Sequence, residues 1–472
     1  MRRKRLWLAL FFVGLVALGL ARTLKIRRPD RPVGSWDQIE RLAERDDLNL
    51  VVVVIDTLRA DRLSAYGYGR PTSPILAALA ESGIRFEHTL AQSTWTKTSM
   101  ASMVTGTYPS KNRITRFHHG LPSGATLASE ILRRAGFRTV GIWRNGWVAP
   151  NFGFEQGFDV YYKPEPAPLN AQKNPSAAKL PGTDQQVINA ATQFLRTAGG
   201  QRFYLYLHLM DVHQYVYDGA VDFGTTYSDI YDMSVHWVDR NLGTLVAVLQ
   251  QEALMKKTVL AVVSDHGEAF QEHGGEGHAR DLYQEVTRVP FIVTLPFRLE
   301  KPIVVETPVE NVDVMPTLLD LLGLPALPEA DGRSLVPLAL AAAQGQEPVA
   351  FQDGDARPRF AQIDRAWARV QDDPDPLVLV QQGRYRLHQR RGESPELYDA
   401  QEDPLEQHDR VAEHPEIAKK LSERIRRYID SPPPSWGAPD QVTISDMEAG
   451  HLRALGYVVD PQAPPEKRKL ER

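Results

Sequence analysis

Four polar clusters in this chain stand directly after apolar runs, and their side chains are those of metal-assisted ester chemistry. Asp56 follows LNLVVVVI (48–55), and Asp265 with His266 follows TVLAVVS (258–264). Asp211 and His213 follow FYLYLHL (203–209), and Asn145 follows the run Phe137–Trp143. Two carboxylates and an imidazole are hard or borderline donors that suit Ca, Mg, Mn or Zn. Taken alone, an Asp or an Asp-His pair after a buried strand also serves to cap or hydrogen-bond a turn. The same placement at the ends of two separate runs favours a shared cation.

Thr96 opens a helical-looking segment whose small residues Ser99, Ala101 and Ser102 permit close approach to a sheet. Its plain role is an N-cap. That role is compatible with chemistry, because a helix N-terminus also favours an anion. A threonine hydroxyl is a weak nucleophile at its own pKa, and a divalent cation supplies the activation it needs. His213 and His278, the latter ending the glycine-rich run 272–278, add groups suited to binding anionic oxygens or protonating a leaving group. Either histidine by itself is as readily structural or solvated. Lys97 beside Thr96, and Asp211 beside His213, are expected to face the substrate.

These residues need a scaffold that gathers strand ends. Apolar runs alternating with helical patterns predict an α/β fold with a large central, mostly parallel sheet flanked by helices, in which ligands collect at the strands' C-terminal ends. The segment 163–182, rich in Pro, Ala, Asn and Lys without apolar periodicity, predicts a surface loop over or beside the site. VMPTLLDLLGLP predicts a helix closed by Gly323 and Pro325. The pattern then changes to short alternating segments, which predict a small α+β unit. The expected organisation is an N-terminal signal or anchor with a basic flank (1–31), a linker (32–47), a catalytic domain (48–345), a C-terminal subdomain (350–459) and a charged tail (460–472).

The N-terminus addresses location. Arg2, Arg3, Lys4 and Arg5 precede an uncharged apolar run from Leu6 to Ala21, which Arg22 closes. This is the pattern of an export signal, cleaved or kept as a membrane anchor, so the chain is expected in the cell envelope or outside it. Lys and Arg number 55 against 59 Asp and Glu, a balance that gives no electrostatic reason to expect nucleic acid as a partner. With no cysteine at all, disulfides, thiolate metal sites and cysteine nucleophiles are excluded.

The order and context of these motifs resemble the sulfatase family of the alkaline phosphatase superfamily. Asp56-Thr57-Leu58-Arg59-Ala60-Asp61 resembles the opening metal motif of a large bacterial branch. The segment Thr96 to Gly106 resembles the family signature, His208 to His213 the Asp-x-His segment, and Ser264-Asp265-His266-Gly267-Glu268 the second metal motif. Gly153 to Asp159, Asp281 to Glu285 and Glu396-Leu397-Tyr398-Asp399 are similar to further family segments. The resemblance implies one divalent metal held by Asp56, Asp265 and His266, with Thr96 as nucleophile and further ligand. It also implies substrate contacts from His213, His278 and Asn145.

Three departures bear on activity. Thr57 stands after the first metal Asp, where many members carry a second carboxylate, although the bacterial branch resembled here shares it. The signature's first position, normally oxidised to formylglycine, is Thr96, which cannot undergo that conversion. The signature's Pro and Arg are replaced by Thr98 and Met100. Threonine nucleophiles of this superfamily resemble those of phosphodiesterases and phosphoryl transferases. The leading expectation is therefore a metal-dependent hydrolase or transferase of phosphoric or sulfuric esters, with phosphodiesters or phosphonates favoured. The alternatives are a sulfatase working without formylglycine and a non-catalytic glycan-binding relative. Expected substrates are a sulfated or phosphorylated glycan, a lipid headgroup or a small ester.

Overall fold

The computed structural model describes residues 31–165, 172–173, 183–346, 357–368, 373–444 and 450. Its centre is a mixed sheet in the order Ile303–Val305, Ile84–Leu90, Arg288–Thr294, Thr258–Val263, Asn49–Ile55, Phe203–Leu209, Arg138–Trp143 and Val160–Tyr162, with Val309–Glu310 also paired to Ile84–Leu90. Arg288–Thr294 runs against both of its neighbours, and the remaining pairings are parallel. The expected α/β architecture is thus observed, and the four anticipated strands are consecutive neighbours in the sheet.

Every residue of Asn49–Ile55, Phe203–Leu209 and Thr258–Val263 is buried, which is why these strands read as continuous apolar runs rather than alternating ones. Two apolar layers cover the sheet's faces. One packs Val52 and Val54 against Trp95, Met100 and Leu318, and the other packs Val51, Val53 and Ile55 against Tyr231, Leu242 and Leu245. Each buried leucine-sized side chain contributes about 2 kcal/mol, so these layers hold the strand ends in a fixed relation.

The helix expected after residue 313 spans Val314–Leu321, and Gly323 follows it with φ 64°. Farther on, an antiparallel sheet of Arg359–Asp364, Pro376–Gln382, Tyr385–Arg390 and Glu396–Asp399 packs against the helix Pro415–Ile429. Of the anticipated surface loop 163–182, residues 163–165 and 172–173 are described. The pair Gln172–Lys173 bonds antiparallel to Val216–Tyr217, just past His213. The basic start, the apolar run Leu6–Ala21 and the charged tail 460–472 lie outside the described residues. Among the described residues no helix is long and apolar enough to cross a membrane.

Candidate active site

Two turns at the finishing edge of the parallel strands meet at one point. Asp56 leaves strand Asn49–Ile55 and Asp265 leaves Thr258–Val263, its parallel neighbour, so the two carboxyls emerge side by side. The turn after Asp56 is unusual, because Thr57 is β-branched yet adopts φ 60°. A conformation of that kind costs roughly 1–3 kcal/mol and persists only where neighbours enforce it. Here the Tyr231 hydroxyl donates to the Thr57 carbonyl at 2.7 Å, and the Thr57 N–H donates to Asp265 Oδ1 at 3.3 Å. The strained residue thereby ties one carboxylate's turn to the other carboxylate.

The helix Thr96–Thr105 presents its first turn to the same point. Trp95 holds the N-cap position with an extended backbone, so Thr96 is the first helical residue rather than the cap. Ser99 Oγ donates to the Asp265 carbonyl at 2.6 Å, fixing the helix against that strand end. Gly267 is required by packing, since a Cβ there would stand 2.2 Å from the Glu285 carbonyl oxygen.

The side chains form one buried network. The Asn145 amide donates to Asp56 Oδ2 at 2.6 Å and to Thr96 Oγ1 at 3.1 Å. Thr96 Oγ1 lies 3.2 Å from His266 Nε2. Because His266 Nδ1 is 3.0 Å from the Gly267 carbonyl, which only accepts, Nδ1 carries the proton in the neutral ring and Nε2 keeps its lone pair. That lone pair faces the Thr96 hydroxyl and stands 3.4 Å from Asp265 Oδ2. Asp56 Oδ1 and Asp265 Oδ2 are buried and accept no hydrogen bond. Several electron-rich atoms therefore converge with little to offset their repulsion. A divalent cation among these oxygen and nitrogen donors fits that arrangement.

His208 belongs to this centre, although its place inside an apolar run assigns it no separate role. Its ligand atom lies with those of Asp56 and Asp265 inside 4.8 Å. Hydrogen bonding defines its part more closely: the Tyr206 hydroxyl is 2.8 Å from Nδ1, and Nε2 is 3.1 Å from Asp56 Oδ2. All three groups are satisfied when Tyr206 donates to Nδ1 and Nε2–H donates to Asp56. His208 then positions Asp56, and His266 retains the free lone pair. The available signal was a polar residue inside the otherwise apolar strand FYLYLHL.

The charges are graded across the site. Burial pushes the Asp56 carboxyl up, but the His208 hydrogen bond and the nearby imidazoles of His213, His266 and His208 outweigh it and hold it below the ordinary carboxylate range. Burial and the Asp56 charge together push Asp265 up. The two other histidines complete the wall, with the His278 ring centroid 5.0 Å from that of His213 and 4.5 Å from that of His266. A short hairpin, Ala269–Phe270 with Glu276–Gly277, delivers His278, and Glu268 Oε1 lies 3.1 Å from its Nδ1. Burial opposes a charge on His278, yet Glu268 prevails and raises its pKa. Burial lowers His213 to about 4. Of the two wall imidazoles, His278 is thus the readier to carry a proton and His213 the readier to stay neutral. Glu268 lay inside the quoted motif without an assigned role.

Two expected substrate contacts are corrected. Lys97 is fully buried; its ammonium donates to the carbonyls of Phe117 and His119, the latter at 2.8 Å, and lies 3.9 Å from the Phe152 ring centre. Consecutive helical residues point about 100° apart, so a helix that aims Thr96 at the carboxylates aims Lys97 into the core. Asp211 is equally buried and architectural. Arg144 donates to its Oδ1 at 2.5 Å, while Trp237 Nε1 and the Asp184 N–H donate to Oδ2 at 2.7 and 2.8 Å.

Known proteins resemble this chain over the region that carries the network. The family model described as sulfatase matches residues 48–324, which include every residue of the network. The chain is 29% identical over 194 residues to arylsulfatase K of Gallus gallus, a match covering 41% of this chain and 35% of that protein. It is 23% identical over 481 residues to the N-acetylgalactosamine-6-O-sulfatase of Bacteroides thetaiotaomicron, covering 80% of this chain and 92% of the relative. Among solved structures, the phosphonate monoester hydrolase of Agrobacterium radiobacter superposes with a TM-score of 0.63 at 19% identity, over 81% of this chain and 95% of that one.

Proposed function

Because this chain belongs to the sulfatase family, we propose that it is a metal-dependent ester hydrolase in which Thr96 is the nucleophile and phosphodiesters or phosphonate monoesters are preferred to sulfate esters. The observation that carries this reading is the hydroxyl of Thr96, held between Asn145 and His266 beside two buried carboxylates. Asp56, Asp265 and His266 would hold the cation, with Thr96 as a further donor. Bound there, it would supply positive charge to the transferring group and lower the pKa of the hydroxyl.

The chain's own residues account for the remainder. Asn145 donates to Thr96 Oγ1 and orients it, and with its pKa lowered the hydroxyl releases its proton to solvent, which frees a lone pair to attack phosphorus. The new Oγ1–P bond forms as the ester P–O bond opposite it breaks, and the leaving oxygen takes a proton from protonated His278. Neutral His213 contacts a non-bridging oxygen. Water then attacks phosphorus, giving one proton to the now neutral His278 as the Oγ1–P bond breaks, and Thr96 Oγ1 regains its proton from solvent as the product leaves. Sulfate fits less well, since a sulfated threonine lacks the hemiacetal route by which formylglycine expels sulfate. The sulfatase relatives favour a second reading, in which Thr96 only orients an attacking water and a sulfate ester is cleaved.

Initial rates on aryl sulfate, phosphate monoester, phosphodiester and phosphonate monoester, each with several divalent metals, test both readings. Thr96→Ala should lose at least about 10³-fold in turnover, in keeping with the loss of a nucleophile. Full activity in that variant, or a clear preference for the sulfate ester, would remove Thr96 from the proposed role.

A further inference from the structure

The described chain begins at the end of the sheet opposite the candidate active site. Arg31 is buried, and its guanidinium donates to the carbonyls of Leu295 and Phe297 at 2.8 and 3.4 Å and to Ser82 Oγ at 3.0 Å. Val33–Gly34 then pairs in parallel with Arg298–Leu299. Leu295 follows Thr294, the residue opposite Leu260 near the start of Thr258–Val263. Ile84 and Ile303 likewise pair at the starting edge. Asp56 and Asp265 leave the finishing edge, and the seven residues of Asn49–Ile55 separate the two edges by about 23 Å at roughly 3.3 Å per residue.

This starting edge carries a groove of about 580 Å³ whose lining includes Val33, Trp36, Lys301, Pro302, Ile303 and Ala343. Val33 is 53% exposed and Trp36 40%, placing two of the large exposed apolar side chains on one small face. An exposed tryptophan beside a lysine is the combination that settles at the boundary between headgroups and acyl chains. Nine residues lie between Ala21, the end of the apolar run, and Arg31, and the stretch from one to the other spans at most about 35 Å when extended. Arg22, Lys25, Arg27 and Arg28 lie within that span against the single acid Asp30, which favours an anionic surface.

We propose that the face around Val33 and Trp36 rests on an anionic phospholipid bilayer into which the run Leu6–Ala21 inserts, so that the candidate active site opens away from the membrane. The substrate is then an ester dissolved in the aqueous phase or carried on an extended glycan. Headgroups of the supporting bilayer lie on the wrong side of the sheet. A short tether brings the groove to the lipid, and the apolar side chains of the groove fix which edge faces it.

The chain has no cysteine, so single-cysteine variants of the full-length protein can be labelled without background. Val33→Cys and Trp36→Cys mark the groove. Tyr227→Cys marks the opposite edge, since Tyr227 is 41% exposed and Tyr231, one turn along the same helix, bonds Thr57. Each variant should keep the melting temperature of the parent, a control that does not depend on catalysis. In vesicles of phosphatidylglycerol and phosphatidylethanolamine containing a lipid-borne collisional quencher, fluorophores at 33 and 36 should be quenched several-fold more than one at 227. Equal quenching at the three sites on a vesicle-bound chain would overturn the docking face, and stronger quenching at 227 would reverse the orientation. A chain that fails to float with the vesicles, including one whose groove is shielded by its own apolar run, would overturn the proposal as a whole.

Discussion

Among the described residues, Asp184 with Asp211 and Asp56 with Asp265 form two fully buried aspartate pairs, and they are treated in opposite ways. Asp184 and Asp211 share the guanidinium of Arg144, at 2.9 and 2.5 Å, and receive the backbone N–H groups of Met210, Asp211 and Asp184 together with Trp237 Nε1. Asp56 and Asp265 have imidazoles and amides for neighbours, and each keeps one buried oxygen that accepts no hydrogen bond. A fold tolerates carboxylates without counter-charge only at a cost of several kcal/mol. The saturated pair is architecture, holding the helix Asp184–Thr197 against the end of strand Phe203–Leu209. The unsaturated pair is the candidate site, and in the proposed function a cation offsets its electrostatic deficit.

The sharpest way to break this contrast is to neutralise one acid of the unsaturated pair. Asp265→Asn should cut turnover by at least about 10³-fold, equivalent to roughly 4 kcal/mol. In metal-free buffer its melting temperature should stay level or rise, because the like charge facing Asp56 is gone. A large drop in melting temperature would show that Asp265 is structural. The saturated pair should respond in the reverse sense. Arg144→Met leaves two carboxylates buried beside an apolar chain and should cost about 3–5 kcal/mol of stability. Unchanged denaturation by urea would mean that the guanidinium does not anchor the pair.

A third experiment measures the deficit directly. Titration with Mg, Ca, Mn or Zn should raise the stability of the parent by about 2.7 kcal/mol when the free ion reaches roughly 100 times its Kd. The gain should vanish in Asp265→Asn and survive in Thr96→Ala, where the two acids and His266 remain. An equal gain in the Asp265 variant would place the ion elsewhere.

Asp56, Asn145, Asp265 and His266 were legible in the sequence because each follows an apolar run, and the end of a buried strand is where open α/β sheets gather ligands. That rule gives position along the chain but not direction across it. Lys97 is adjacent to Thr96 in sequence and turned into an aromatic cage by the helix, while Asp211 bends back to meet the N-terminus of the helix Asp184–Thr197. His208 went unassigned for the complementary reason. Inside a fully buried strand a histidine is indistinguishable from core until the residue opposite is known, and here the parallel register sets it beside Val54, within reach of Asp56. The pairing of Glu268 with His278 likewise depends on the hairpin between them, whose two-residue strands carry no periodic signal.

The mildest test of the contrast uses pH. Burial and the charge of Asp211 push the Asp184 carboxyl up to about 7, from an ordinary value of 3.8. Between those values the folded chain binds more protons at this site than the unfolded chain, so the contribution to stability falls as pH rises, by at most about 1.4 kcal/mol per pH unit. The stability is fully present below about 4 and lost by about 7. Asp184→Asn carries no titrating group there. It will be less stable overall, having surrendered acceptors for Met210 and Asp211, but its stability measured from pH 4 to 7 should decline less steeply than that of the parent. Parallel curves for the two proteins would mean that Arg144 neutralises both carboxylates at every pH. The saturated pair would then be electrostatically silent, and the difference from the unsaturated pair would be larger than drawn above.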